Sequence, residues 1–404
     1  MIKGKNIVVV GIQPWDIEIG SNCKNLASEF ALNNRVLYVN SPMDRFSRYK
    51  ERNTEKIRRR LKIRQGKEPN LVEVEPNLWN LYPDHIIESI NWITSPKLFD
   101  KLNYLNSRKF SIDIKRAAQA LGFKEFILFN DSSMFLGFYL KELLKPSLYI
   151  YYMRDYLIKN PYWRRHGERI EPQLISKADL IVNNSSLYTE YGAKYNKHSY
   201  MVGQGCDTTL FNDLERDIEI ASDLKEIPSP IIGYVGFLSS RRLDIELIKH
   251  IALERPLWSI VLVGPEDETF KRSILHEMSN VYFLGSRESS QLPCYIKGFD
   301  IAFNPQLIND ATMGNYPRKI DEYLTMGKPV LATDTKAMEY FKDYTYLGKS
   351  KEEYVQLADN ALKDNSGELE KARRMFGTSH TWENNVNQIY HYATVVAKEK
   401  GIEI

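Results

Sequence analysis

Two short stretches combine charges and glycines at spacings that suit a phosphate-bearing ligand. The first is Pro317-Arg318-Lys319-Ile320-Asp321-Glu322-Tyr323-Leu324-Thr325-Met326-Gly327-Lys328-Pro329, followed by the apolar run Val330–Thr333. It reads as a polar loop, a short helix and a break into a buried strand. Lys319 and Glu322 stand three residues apart, on one side of the first helical turn. The unpaired N–H groups of a helix start favour an anion. Such a turn can grip both ends of a nucleoside diphosphate, with positive charge on the pyrophosphate and Glu322 on the ribose hydroxyls. The second stretch is Gly233-Tyr234-Val235-Gly236-Phe237-Leu238-Ser239-Ser240-Arg241-Arg242-Leu243-Asp244. Here a buried strand enters a Gly turn and two guanidinium groups precede a helix, a combination that again favours a diphosphate.

Further candidates lie at the ends of apolar runs. Asn304-Pro305-Gln306 closes one. Asn130-Asp131 and Arg154-Asp155 follow two others, and a carboxylate there could orient an acceptor hydroxyl or cap the next helix. Gly203-Gln204-Gly205-Cys206-Asp207 suits a tight turn. Other chemistries find no residues to carry them. There is no P-loop, G-x-G-x-x-G, G-x-S-x-G or H-E-x-x-H motif. The seven histidines include no pair at i,i+3 or i,i+4, and no Asp-x-Asp occurs, so no metal site is expected. Three distant cysteines without a CxxC pair argue against a disulfide framework and fit a reducing cytoplasm.

These residues need a scaffold of two domains, since 404 residues exceed what one core normally supports. Hydrophobic content of 43% and charged content of 26% are ordinary for a globular chain. A net charge of +3 is too small for bulk nucleic-acid binding. The exception is Arg45 to Lys67, with eleven Lys or Arg against Glu51 and Glu55. Ile57 and Leu61 share a helical face there, while Arg58, Arg59, Arg60 and Lys62 fill much of the rest. A basic amphipathic helix of this kind is expected on an anionic membrane surface or against an acceptor. No run of 18 apolar residues exists, so no membrane-spanning helix is expected, and the apolar run 7–10 is too short for a signal segment.

Short apolar strands alternate with helices along the chain. Strands are expected at 6–11, 36–40, 71–74, 78–81, 126–130, 148–152, 180–183 and 199–202. Helices are expected from Ser21 or Asn22, and at 111–121, 134–144, 172–177 and 187–195. After an acidic, proline-containing stretch the alternation restarts, with strands at 231–235, 259–263, 281–283, 301–303 and 330–333 and a helix at 243–252. The pattern predicts an α/β chain of two doubly wound parallel sheets. Its domains would be 1–206, a linker 207–230, and 231–381, with a helix in 382–404 packing back on the first.

The spacing Pro-x-Lys-x-x-Glu-Tyr-Leu-x-x-Gly-Lys-Pro-Val resembles the signature of retaining, GT4-like glycosyltransferases (glycosyltransferase group 1). Gly233 to Asp244 resembles their Gly-x-x-Gly-x-x-x-x-Arg-x-Asp segment. One extra residue leaves Arg241 and Arg242 both near the family position, and Arg242, before Leu243-Asp244, is the better match. Val261-Leu262-Val263-Gly264-Pro265, Gly203 to Phe211, and Asp179 with Asn184-Ser185-Ser186 are similar to further family segments. The resemblance implies the GT-B fold, two Rossmann-like domains facing across a cleft. It implies transfer from a UDP- or GDP-linked sugar to a saccharide or lipid-linked acceptor in surface polysaccharide assembly, capsule or exopolysaccharide included. Retention of configuration, no metal and no cofactor beyond the donor are implied with it, as is a cytoplasmic location peripheral to the inner membrane face. Donor contacts would come from Gly236, Arg241, Arg242, Gly264, Asn304, Lys319 and Glu322. Arg242 and Lys319 would stabilise the leaving diphosphate, with Asp131 and Asp155 on the acceptor side. The chain departs from the family's Glu-x7-Glu, since Gly314 stands where the first Glu belongs. This is closer to a teichuronic-acid-type branch, in which the loop 309–316 would contact the donor sugar. It also keeps open an inactive scaffold that binds a nucleotide sugar or a partner protein. A sugar-nucleotide epimerase of the same fold is the other alternative.

Overall fold

The computed structural model describes residues 1–16, 21–50, 54–309, 312–314 and 316–404. They form two compact units, residues 1–203 with 385–404, and residues 204–384. Among the described residues no helix is long and apolar enough to cross a membrane.

The first unit opens with β1 (Asn6–Gly11), an apolar β-branched run of the kind buried on both faces of a parallel sheet. Ser21 caps α1 (Asn22–Ala31) by accepting from the Lys24 N–H, and β2 (Arg35–Val39) follows. The basic stretch forms α2 (Arg45–Lys50) and α3 (Glu55–Arg64), then come β3 (Leu71–Glu75) and β4 (Leu78–Leu81). Helix α4 (Pro96–Ala120) leads to β5 (Ile127–Asp131), and α5 (Leu140–Leu144) to β6 (Leu148–Met153). Helix α6 (Pro161–Lys177) leads to β7 (Leu180–Asn183), and α7 (Ser186–Ala193) to β8 (Ser199–Met201). The sheet order is β3-β4-β2-β1-β5-β6-β7-β8. All pairs are parallel except β3 with β4, an antiparallel edge that the wholly parallel expectation did not contain.

The second unit contains α8 (Thr208–Phe211), β9 (Ile231–Val235), α9 (Ile245–Glu254), β10 (Ser259–Val263) and β11 (Val281–Gly285). These are followed by α10 (Leu292–Lys297), β12 (Ile301–Asn304), α11 (Lys319–Thr325), β13 (Val330–Thr333) and β14 (Tyr346–Gly348), then α12 (Lys351–Lys363) and α13 (Gly367–Thr378). Its sheet is wholly parallel in the order β11-β10-β9-β12-β13-β14. In chain order that is 3-2-1-4-5-6, the dinucleotide-fold winding. The stretch 207–230, expected as a linker, instead places Phe211, Ile218 and Leu224 in this unit's core. Helix α14 (Trp382–Lys400) starts in the second unit and from Asn385 belongs to the first. There Val386, Ile389, Tyr390, Ala393 and Val396 are buried, and the Asn34 Nδ2 donates to the Tyr390 hydroxyl at 2.9 Å.

Candidate functional site

In the second sheet the winding reverses between β9 and β12, and ligands of such sheets lie beyond the strand carboxyl ends at that point. Gly236 follows β9 and Gly264 follows β10, with φ of 132° and 150°. A Cβ on Gly264 would fall 1.9 Å from the Gly236 carbonyl oxygen, so the two turns touch backbone to backbone. Asn304 ends β12 on the other side of the reversal. It is 1% exposed, and neither amide atom has a hydrogen-bond partner among the described residues. Leaving such a group bare costs about 1–3 kcal/mol, an unfavourable feature that a polar ligand would relieve. The loop between Gly236 and Asp244 is held at its carbonyls by residues that follow β12. The Leu307 N–H donates to the Arg242 carbonyl (2.8 Å), and the Asn309 Nδ2 to that of Arg241 (2.9 Å). Asp244 caps α9 by accepting from the Leu247 N–H at 3.0 Å. Both guanidinium side chains are exposed, and neither has a carboxylate in ion-pair range among the described residues.

Lys319 opens α11. Its Nζ donates to the Tyr234 hydroxyl and lies 3.8 Å from that ring's centroid. A Cβ on Gly236 would come within 2.9 Å of the ammonium, so the glycine leaves room for it at the β9 turn. Tyr323 fastens the same helix to β9, its hydroxyl accepting from the Val235 N–H at 3.1 Å. Glu322 is 8% exposed. Burial raises its carboxyl pKa, opposed by Arg318 and then Lys319. Its ion-pair partner is Arg318, Nε to Oε1 3.4 Å, at the start of the same helix. Sequence reasoning passed over Arg318, although its i,i+4 spacing from Glu322 was the available signal. It also missed Asp321, wholly buried and 2.6 Å from the His380 Nδ1, with the Tyr316 hydroxyl donating at 3.1 Å. Nothing local links residues 321 and 380. Of the loop 309–316, residues 310, 311 and 315 lie outside the described residues.

In the first sheet the reversal falls between β1 and β5. Asp131 ends β5 there, but it is wholly buried and both its oxygens hold Arg154, from Nε (2.8 Å) and Nη2 (3.2 Å). It is therefore an anchor for Arg154, not the acceptor-orienting carboxylate expected from its strand-end position. Burial disfavours the Arg154 charge, yet Asp131, with Asp155 and Cys23 behind it, raises the guanidinium pKa. Arg154 also donates to Asp155 (Nη1, 3.0 Å) and to the Gln13 Oε1 (Nη2, 3.1 Å). Asp155, 43% exposed in its side chain, is the accessible carboxylate of this cluster. Beside Asp131, Cys23 is kept as the thiol, its pKa raised by burial first and by Asp131 second.

The basic stretch also differs from expectation. Ile57 and Ile63 are buried, so α3 spends much of its apolar face on its own unit, while Leu61 is half-buried. Arg60 turns inward, Nη1 donating to the Ser41 carbonyl at 2.6 Å with its charge 5.5 Å from the Tyr82 ring centroid. Arg59 and Lys62 are in ion-pair range of Glu68, at 3.6 Å and 3.8 Å, and Arg58 stays exposed. The four do not form one free cationic face.

Two doubly wound α/β units, each with polar residues gathered at its winding reversal, define the GT-B class of fold. Within the second unit, residues 229–364 match the family described as Glycosyl transferases group 1. A protein of Bacillus subtilis (strain 168), provisionally named teichuronic acid biosynthesis glycosyltransferase TuaH, is 26% identical over 238 residues. That match covers 56% of this chain and 59% of the relative. Among solved structures, sucrose-phosphate synthase from Thermosynechococcus elongatus superposes with a TM-score of 0.64 at 15% identity, over 98% of this chain and 100% of that one. HepE of Anabaena, solved in complex with UDP, gives 0.63 at 14% identity, over 96% and 100%.

Proposed function

We propose that this protein is a glycosyltransferase that takes a nucleotide-sugar donor at the winding reversal of its second unit. The acceptor is a saccharide or lipid-linked saccharide in surface polysaccharide assembly. The observation that carries the reading is the bare, buried carboxamide of Asn304 at the reversal, on the strand next to β9, whose turn holds the Lys319 ammonium. Gly236 and Gly264 let a diphosphate approach the backbone, which side chains at those positions would prevent. Lys319 and the unpaired Arg242 are suited to neutralise charge that grows on the leaving diphosphate, a contribution larger in the transition state than in the ground state. Glu322, steadied by Arg318, accepts from the ribose hydroxyls. On the acceptor side Asp155 orients the incoming hydroxyl while Asp131 holds Arg154. In this reading the transfer retains configuration and uses side-chain cations in place of a metal. The named role of the B. subtilis relative supports the polymer class, and the presence of UDP in HepE makes uridine diphosphate the first probe.

The test is donor binding and donor hydrolysis, using UDP and UDP-glucose beside their guanosine counterparts. Slow release of nucleoside diphosphate, lost in Lys319→Ala and Arg242→Ala with affinity largely kept, is the expected result. Gly314, where related enzymes place a carboxylate, favours a second reading as a binding scaffold. Tight binding without turnover under any acceptor would establish that one.

A further inference from the structure

One face of α4 changes character along its length. Leu102, Leu105, Lys109, Ile112 and Arg116 recur at intervals of three and four and so form a single stripe. Its first part lines a groove of about 630 Å³ whose walls include Ile90, Ile93 and Trp92. Trp92 is 73% exposed, its Nε1 donating to the Ser89 carbonyl at 2.7 Å. A solvated indole beside an apolar groove offers surface that an apolar ligand would cover. The second part of the stripe enters a cavity of about 420 Å³ lined by Arg45, Arg48, Arg64, Lys109 and Arg116. Lys109 belongs to both, so the apolar groove runs into the cationic one.

The charge in the second cavity is not cancelled locally. Glu88 pairs with Arg45 at 2.7 Å and approaches Lys109 at 3.8 Å. Among the described residues of the lining Asp84 is the one carboxylate, and it accepts from Asn70 at 3.0 Å. The third acid nearby, Asp113, is buried against the His85 Nδ1 at 2.7 Å. Arg48, Arg64 and Arg116 have no carboxylate partner among the described residues. Three guanidinium groups without a carboxylate partner among the described residues converge on one cavity and suit an anion with several acceptor oxygens.

We propose that the two cavities form one site for a single phosphate-headed lipid, with the head among Arg48, Arg64 and Arg116 and the tail in the groove beside Trp92. Charge complementarity selects the head, and the apolar continuation through Lys109 selects a tail. As the identity of the acceptor this rests on the glycosyl-transfer reading above. As a binding site it does not, and its test involves no turnover.

Three probes separate the sources of binding: dihexanoyl phosphatidic acid below its micelle concentration, dihexanoyl phosphatidylcholine at equal concentration, and inorganic phosphate. Phosphatidic acid should bind at least about tenfold more tightly than either of the others and shift Trp92 emission to the blue. Trp92→Phe should remove the optical change and keep the binding, read by titration calorimetry. The double variant Arg48→Glu/Arg116→Glu, both exposed positions, should lose binding with the melting temperature unchanged. Leu105→Asp should lose the lipid and keep phosphate. Equal affinity for phosphatidylcholine would overturn the head assignment. Phosphate binding as tightly as phosphatidic acid, with Trp92 emission unmoved, would overturn the tail. Phosphatidic acid remaining unbound at low salt would overturn the site itself.

Discussion

Asn304 separates a binding residue from a packing residue in one experiment. An interior amide that serves packing loses stability when cut back, whereas one that waits for a ligand does not. Asn304→Ala should leave the unliganded protein as stable as the parent, or more so, and weaken UDP binding by about 1–3 kcal/mol. Isothermal titration beside thermal melting measures both. Glu322 should show itself through pH. Its carboxyl pKa is raised by burial, so the form that accepts ribose hydroxyls is lost at a higher pH than for an ordinary glutamate, and UDP affinity should fall as pH drops through that region. In Glu322→Gln this fall should vanish; a titration curve indistinguishable from that of the parent would remove Glu322 from the site. Asp131→Asn should disturb what Arg154 does without exposing any new surface, because the carboxylate is buried beneath the guanidinium.

At the scale of elements, α6 carries a buried acid with a calculable consequence. Glu171 accepts from the Tyr151 hydroxyl at 2.9 Å, and burial raises its pKa from 4.5 to about 7. The folded protein then binds more protons than the unfolded chain between those two values, so stability should decline as pH rises from about 4.5 to 7 and level off above. The shift is worth about 3 kcal/mol, and Glu171→Gln should flatten the slope in denaturant titrations across that range. The same element shows why parts of the fold were hidden in the sequence. Strands β1, β4, β7, β9, β10 and β13 were legible to the residue, because strands buried on both faces are unbroken apolar runs. Helix α6 was seen only from Pro172, since His166 and Glu171 interrupt its buried face. Helix α4 was seen only from Ser111, because Asn103, Asn106 and Ser107 lie inward where periodicity asks for apolar side chains. Strand β14, Tyr346-Leu347-Gly348, has two half-buried residues and ends in Gly, so it shows no apolar run. Of the candidate site, the placement of Gly236 and Gly264 at strand ends and of Lys319 at a helix start was legible, because local backbone sets it. The Asp131–Arg154 and Asp321–His380 pairs join residues 23 and 59 positions apart, and no local rule finds them.

For the molecule as a whole, the path of the chain matters most. The first unit is built from two separated segments, and the second is the chain between them. Helix α14 supplies the returning segment, with Tyr392 stacked on Tyr200 at 4.1 Å and the Asn385 Nδ2 donating to the Val202 carbonyl at 2.8 Å. Ending the chain after residue 384 should therefore lower the melting temperature of the first unit and leave the second able to bind UDP. Differential scanning calorimetry with and without the nucleotide would show it, and unchanged melting of both units would refute it. Protein synthesis meets the same arrangement in time. Most multidomain chains fold their first domain while the ribosome is still making the next. Here the unit begun first is finished last, because residues 385–404 emerge only after the whole of the second unit. A nascent chain stalled before that point would expose the Asn34 and Tyr200 surface to chaperones. A fusion partner added behind α14 would burden the unit whose synthesis began at the opposite terminus.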